Sequence, residues 1–276
     1  MEISASDVKK LREMTGAGMM DCKAALNEAG GDFEKAIEVL RKRGQKLSVK
    51  RADREAKEGV VIAQVSADKK KGVVVRLSSE TDFVAKNEDF INVAKHIAQI
   101  ALDKFPADLA ALGALSYDGK ISINDKVTDM IAAIGEKIGL EAYEKVEAPQ
   151  VVSYIHMGNR AGVIVALNKA GDHLHEAGKD VAMQIAAMKP IAVNAEGVDK
   201  SVIEKEIEIG KEVARAEGKP EEMLEKIAMG KLNKFYKDNT LLQQEFVKDS
   251  KLTVDQYLKK ADKDLTVTAF KHVANG

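Results

Sequence analysis

The 276-residue chain contains no tryptophan, a single cysteine and four prolines. One thiol, Cys22, excludes an internal disulfide framework and suits a reducing compartment. With only seven phenylalanines and five tyrosines, the core must be aliphatic, so an aromatic side chain left at the surface needs a reason. No stretch approaches the roughly 20 apolar residues that a membrane helix requires. The opening MEISASDVKKL lacks a basic segment followed by an apolar one, so no signal peptide is expected and a cytoplasmic location is. The net charge of −1 sets up no global field toward nucleic acid or membrane. Also missing are a GxxxxGKS/T loop, a GxGxxG turn after a strand, an HExxH pair and a CxxC pair, so no catalytic site, cofactor or metal is expected. What remains, 45% hydrophobic and 32% charged, describes a soluble globular chain long enough for about two domains and a smaller module.

Residues 1–45 read as a module of three short helices. Val8, Leu11 and Met14 recur at helical spacing until the Gly16–Gly18 interruption. Met20, Ala24, Ala25 and Leu26 form a second apolar face, closed by Gly30 and Gly31. Asp32 is a suitable N-cap for a third helix carrying Phe33, Ala36, Ile37 and Leu40, with Gly44 as its stop. From Arg41 to Lys57 eight basic residues face two acids, which reads as a charged tether over 46–57.

At Glu58 the rhythm changes. GVVIAQV (59–65) and GVVVRL (72–77) flank SADKKK, the composition of a hairpin connection, and a helix is predicted over 90–102. VVSYIHM (151–157) and GVIVAL (162–167) repeat the hairpin, and VAMQIAAMK (181–189) repeats the helix. The equivalent glycine and valine lie 21 positions apart in the first block and 19 in the second, as Gly72 to Val93 and Gly162 to Val181. Shared order at near-equal spacing argues for a duplication. The expected fold class is therefore α+β: two related subdomains, 58–148 and 149–276, each an antiparallel sheet packed on helices. The second carries an insertion at 200–237. Ser201 to Glu204 fits a capping box, and Gly218, Lys219 and Pro220 break the helix, giving a helical hairpin about 3 nm long. LTVDQYLKK then reads as a short helix and LTVTAFKHV as a strand.

Few residues stand out as sites. GDHLHE (171–176) would chelate a metal only if its alternate residues lay on a strand, and a surface loop is the simpler reading. Cys22 has no histidine near it in sequence, which favours a structural thiol. His156 closes a strand before a turn, as a satisfied core or rim histidine would. Met19 and Met20 are either core of the small module or an adaptable binding face. In SSETDFVAKNEDF (78–90), Asp82 and Phe83 follow a strand end, and the second copy carries Asp172 and His173 there instead. The subdomain fold thus does not require this phenylalanine. On a loop tip it is either an anchor for a partner's pocket or folded back on its own helix.

LREMTGAGMMDCKAAL (11–26) and ETDFVAKN (80–87) resemble the two signature segments of bacterial elongation factor Ts, and the duplication and hairpin insertion extend the resemblance over essentially the whole chain. The resemblance implies a guanine-nucleotide exchange factor, not an enzyme, that binds elongation factor Tu and promotes GDP release. It implies that Thr81, Asp82 and Phe83 form the motif whose Asp-Phe pair pushes between two helices of the GTPase, near its magnesium and phosphates. It also implies a ubiquitin-associated-like N-terminal module touching the GTPase with Met19, Met20 and Lys23. AAIGEKIG (132–139) is similar to the family's Ile-Gly-Glu contact, giving Ile134 and Gly135, and YIHMG (154–158) gives His156. Two departures stand beside this. Arg76 and Ser79 occupy positions where the family more often has an acid and a cysteine, and the sequence ends at Gly276 where some members continue into a further helix, so a different partner affinity is expected.

The rival from another class is a scaffold or ribosome-associated adaptor using the helical module and basic tether; a metal enzyme built on GDHLHE is a distant third. The resemblance implies no membrane and no direct nucleic-acid contact, and leaves self-association open.

Overall fold

The computed structural model describes residues 3–276. Helix α1 (Ala5–Thr15) opens with a capping box in which the Ser4 hydroxyl accepts from the Asp7 amide at 3.1 Å and the Asp7 carboxylate accepts from the Ser4 amide at 3.1 Å. Helices α2 (Met19–Glu28) and α3 (Phe33–Lys50) follow, the latter capped by Asp32 as expected. Val8, Leu11, Cys22, Ala25, Leu26, Ala36 and Leu40 form their common core. Met20 does not belong to it and stands 76% exposed, so the inner face of α2 is Cys22, Ala25 and Leu26.

Strands β1 (Glu58–Val65) and β2 (Lys71–Ser79) form the predicted hairpin. A four-residue helix α4 (Asp82–Ala85), then α5 (Glu88–Lys104), α6 (Leu109–Ala114) and α7 (Ile123–Ile134) lead to β3 (Ile138–Glu147), which pairs with the free side of β2. The sheet order is β1-β2-β3, and Phe90, Ala94, Ile97, Ala98 and Ala101 of α5 cover one face. The module docks here. The expected helix stop at Gly44 is not one: α3 continues to Lys50, through the first residues of the stretch read as a tether. Gly44 is buried because a Cβ there would come within 2.6 Å of the Thr128 carbonyl oxygen and 2.9 Å of Ala132 Cβ, so the missing side chain is what lets α3 approach α7. A fork of bonds from Arg41 to Asp129, at 2.9 and 3.1 Å, fixes the same contact.

The second half repeats the plan. Strands β4 (Gln150–His156) and β5 (Ala161–Leu167) form a hairpin followed by α8 (His175–Met188), the insertion α9 (Lys200–Ala216) and α10 (Glu221–Asn239), the short strands β6 (Glu245–Phe246) and β7 (Asp249–Thr253), α11 (Val254–Ala261) and β8 (Val267–Ala274). The order is β4-β5-β8, again with the second strand central. Ala182, Ile185 and Ala186 are buried as Ala94, Ile97 and Ala98 are in the first copy. The ladder register slips after Arg76 in one sheet and after Ala166 in the other, which are the same position of the repeated string. The duplication therefore extends to the β-bulge. Helix α9 starts two residues earlier than the Ser201 capping box would have it: Asp199 is the cap, accepting from the Ser201 amide at 2.9 Å. It approaches α10 closely at Gly210, where a Cβ would come within 3.2 Å of Ala228 Cβ, and Ala214 of α9 and Leu224 of α10 are buried as well.

The two sheets pack face to face through Val61, Ala63, Val74, Val146, Val151, Ile164 and Ala166. Gly72 and Gly162, equivalent in the repeat, each face the opposite sheet: a Cβ on Gly72 would meet Val151 at 2.5 Å, and one on Gly162 would meet Val61 at 2.9 Å. Helices thus lie outside and two sheets inside, with three apolar interfaces between the four layers. Among the described residues no helix is long and apolar enough to cross a membrane.

Candidate partner-contact surface

The chain turns sharply at the end of β2. Thr81 is the N-cap of α4, its hydroxyl accepting from the Val84 amide at 3.5 Å, and Val84 and Ala85 pack against the first core. Phe83, on the outer side, is 83% exposed. It belongs to a helical turn rather than to a loop, and it does not fold back onto α5. Asp82 accepts from Lys86 Nζ at 2.6 Å, and this bond first of all holds its carboxyl below the usual range.

Two carboxylates fix this turn from below. Glu136 accepts from the Thr81 hydroxyl at 2.7 Å and from the Thr81 amide at 3.1 Å. Glu80, with a side chain only 13% exposed, accepts from the Lys137 amide at 2.6 Å, from Arg51 at 2.7 Å and from Arg54 at 3.0 Å. Burial alone would raise the Glu80 pKa, but the Lys137 amide and the two guanidinium groups outweigh it and bring it down to about 2. Segments 80–81 and 136–137 thus exchange a side-chain-to-amide bond in each direction. Lys137 Nζ also donates to the carbonyls of Ala52 and Arg54, at 2.7 and 2.8 Å, so the supposed tether is pinned to the same place.

Ile134 and Gly135 close α7 beside this latch. Gly135 has φ +80, a left-handed cap that a side chain would strain, and its amide donates to the Ile131 carbonyl at 2.9 Å. Phe83 and Ile134 line one open cleft of about 690 Å³, whose third wall is the α1–α2 turn at Met14, Thr15 and Gly16. Met19, Met20 and Lys23 stand exposed on α2 just past that turn without lining the cleft.

His156 is on the other sheet, at the end of β4, with its Nδ1 3.1 Å from the Tyr154 hydroxyl, and it does not line this cleft. Nearby His272 is held below its usual pKa by burial, then by the Lys189 and His156 charges. The GDHLHE stretch is not a strand: Asp172–Leu174 form a 3₁₀ turn leading into α8, and Asp172 takes a bond from Lys69 Nζ at 2.9 Å. Cys22 is fully buried in the module, which raises its pKa, and its sulfur lies 3.6 Å from the Ala17 carbonyl. Sequence reading missed Glu80 and Glu136 as supports. Each sits inside a quoted string, next to a residue read as a contact, and an acid at the start of a tight turn was the available signal.

These features define a class: a protein that presents apolar side chains at its surface on turns held by half-buried carboxylates. The sequence model of the family described as "Elongation factor TS" matches residues 80–276. The chain is 54% identical over 275 residues to a protein of Christiangramia forsetii named elongation factor Ts, covering 100% of this chain and 99% of that one. It is 53% identical over 273 residues to the elongation factor Ts of Cytophaga hutchinsonii, covering 99% and 98%. With that of Porphyromonas gingivalis it shares 51% over 272 residues, covering 98% and 97%. The chain belongs to the elongation factor Ts family, whose members are translation elongation factors.

Proposed function

We propose that this protein binds elongation factor Tu in the cytoplasm and promotes release of GDP, so that GTP can bind, with Asp82 and Phe83 wedged near the magnesium and phosphate site of the GTPase. The observation that carries this reading is the 83% exposure of Phe83 on a turn whose backbone is fixed by Glu136, in a chain of the elongation factor Ts family. A large apolar ring kept in water by a rigid support costs the free protein and is recovered only against a partner.

The thermodynamics suit the role. Such GTPases hold nucleotide through many charge-assisted contacts to phosphate and Mg²⁺, so release is slow. A factor that binds the nucleotide-free state better is, by linkage, weakened equally by nucleotide. Burying Phe83 supplies about 2 kcal/mol, roughly thirtyfold, which is short of the coupling required. The remainder comes from a broad contact using Met19, Met20 and Lys23 of the module, Ile134 and Gly135 beside Phe83, and His156 on the second sheet. Asp82, kept ionised by Lys86, redirects water or backbone ligands of the magnesium. The protein contributes no reaction chemistry of its own; it shifts an equilibrium between states of its partner.

Stopped-flow release of a fluorescent GDP from elongation factor Tu tests this. The native protein accelerates release many-fold and Phe83→Ala loses about thirtyfold of that effect. Equal acceleration by the variant would remove the wedge and leave the exchange reading; no acceleration by folded native protein would remove both.

A further inference from the structure

We propose that Glu136 is a positioning residue for exchange, holding the Phe83 helix and the Ile134–Gly135 turn as one rigid double tip. The inference rests on the exchange reading above.

Helix α4 has four residues, too few to hold its own geometry. Its orientation is set by Thr81, whose hydroxyl does two things at once: it accepts from the Val84 amide at 3.5 Å to cap the helix, and it donates to Glu136 at 2.7 Å. The Thr81 amide donates to the other oxygen of the same carboxylate at 3.1 Å. Glu136 itself follows Gly135 directly, so the carboxylate that orients Phe83 is attached to the turn that presents Ile134. Both side chains line the same cleft. Glu80 closes the arrangement from the opposite direction by accepting from the Lys137 amide at 2.6 Å, which keeps residue 136 in register with residue 81. A tip so fixed keeps the ring in the wedging orientation once the complex has formed. Freed from Glu136, the Phe83 ring still binds but reaches the wedged position less often, so the loss falls on the maximal rate rather than on affinity.

The test uses the full chain as wild type, Glu136→Ala and Glu136→Gln, each checked for folding by circular dichroism. GDP release from elongation factor Tu is followed across factor concentrations, and amide hydrogen exchange of residues 81–86 is followed in the free proteins. Glu136→Ala is expected to lower the saturating release rate by about tenfold or more with little change in the half-saturating concentration. It is also expected to speed exchange of the Thr81 and Val84 amides. Glu136→Gln rescues both, because its oxygen accepts from the Thr81 amide while the Thr81 hydroxyl reverses to accept from its nitrogen. An unchanged saturating rate, a change in half-saturation alone, or unchanged amide protection would each overturn the proposal. So would a Gln variant as poor as the Ala one, which would mean that the charge of Glu136 meets the partner directly. If wild type fails to speed release at all, the exchange reading is lost, and the amide protection still decides whether the latch exists.

Discussion

Consider Glu80→Gln. The substitution keeps the shape of the side chain but removes the charge that Arg51, Arg54 and the Lys137 amide converge on. An ordinary glutamate titrates near 4.5 and this one near 2, a gap worth about 3 kcal/mol to the folded state when the carboxylate is ionised. The folded-state pKa is the lower one, so the contribution is complete above pH 4.5, fades as the pH falls toward 2 and is gone below it. At pH 7 the variant should therefore be less stable by about 2–3 kcal/mol in urea unfolding, since Arg51 and the Lys137 amide keep only a neutral acceptor. The stability difference between wild type and variant, measured at a series of pH values, should shrink through the interval from 4.5 to 2, a comparison in which the other carboxylates cancel. A difference that stays constant across that interval would show that shape, not charge, is what Glu80 provides. No difference at pH 7 would refute the latch altogether.

The other expectations are simpler. Phe83→Ala should leave the urea midpoint of the free protein unchanged, because the ring is already in water; a clear loss of stability would mean that Phe83 packs inward. Gly162→Ala should cost about 1–3 kcal/mol, since its Cβ would press on Val61 and Val74 in the opposite sheet, and an unchanged midpoint would disprove the close contact between sheets. Cys22 should resist a thiol-specific reagent at pH 8 in the folded protein and react at once in urea, because it is buried with its pKa raised; fast labelling of the native protein would show that the module opens.

The parts legible in the sequence were those where one physical demand dominates. β2 and β5 are covered on both faces, so each reads as an unbroken apolar run, and that made the duplication visible. α7 and β3 were not anticipated. β3 is an edge strand whose charged residues interrupt the alternation, as GLEAYEKVE shows. Gly44 reads as a helix stop on local grounds, and only the neighbouring helix reveals it as a packing surface. Phe83 was legible because nothing in the repeat required it. Its supports were not, because the Thr81–Glu136 and Glu80–Lys137 bonds join residues 55 and 57 positions apart, and no local period encodes them.

The pinned segment after α3 has a further consequence. A module on a loose tether would meet its own site on a partner as a ligand of limited effective concentration, set by the length of the tether. Here Arg51 and Arg54 are held by Glu80, the carbonyls of Ala52 and Arg54 by Lys137, and α3 lies along α7. The module and the Phe83 tip are two jaws of one fixed caliper. Reach is then set by the helices, not by the chain between them, so adding a few glycines after Arg54 should leave the span of the caliper as it is for as long as Gly44 stays against α7.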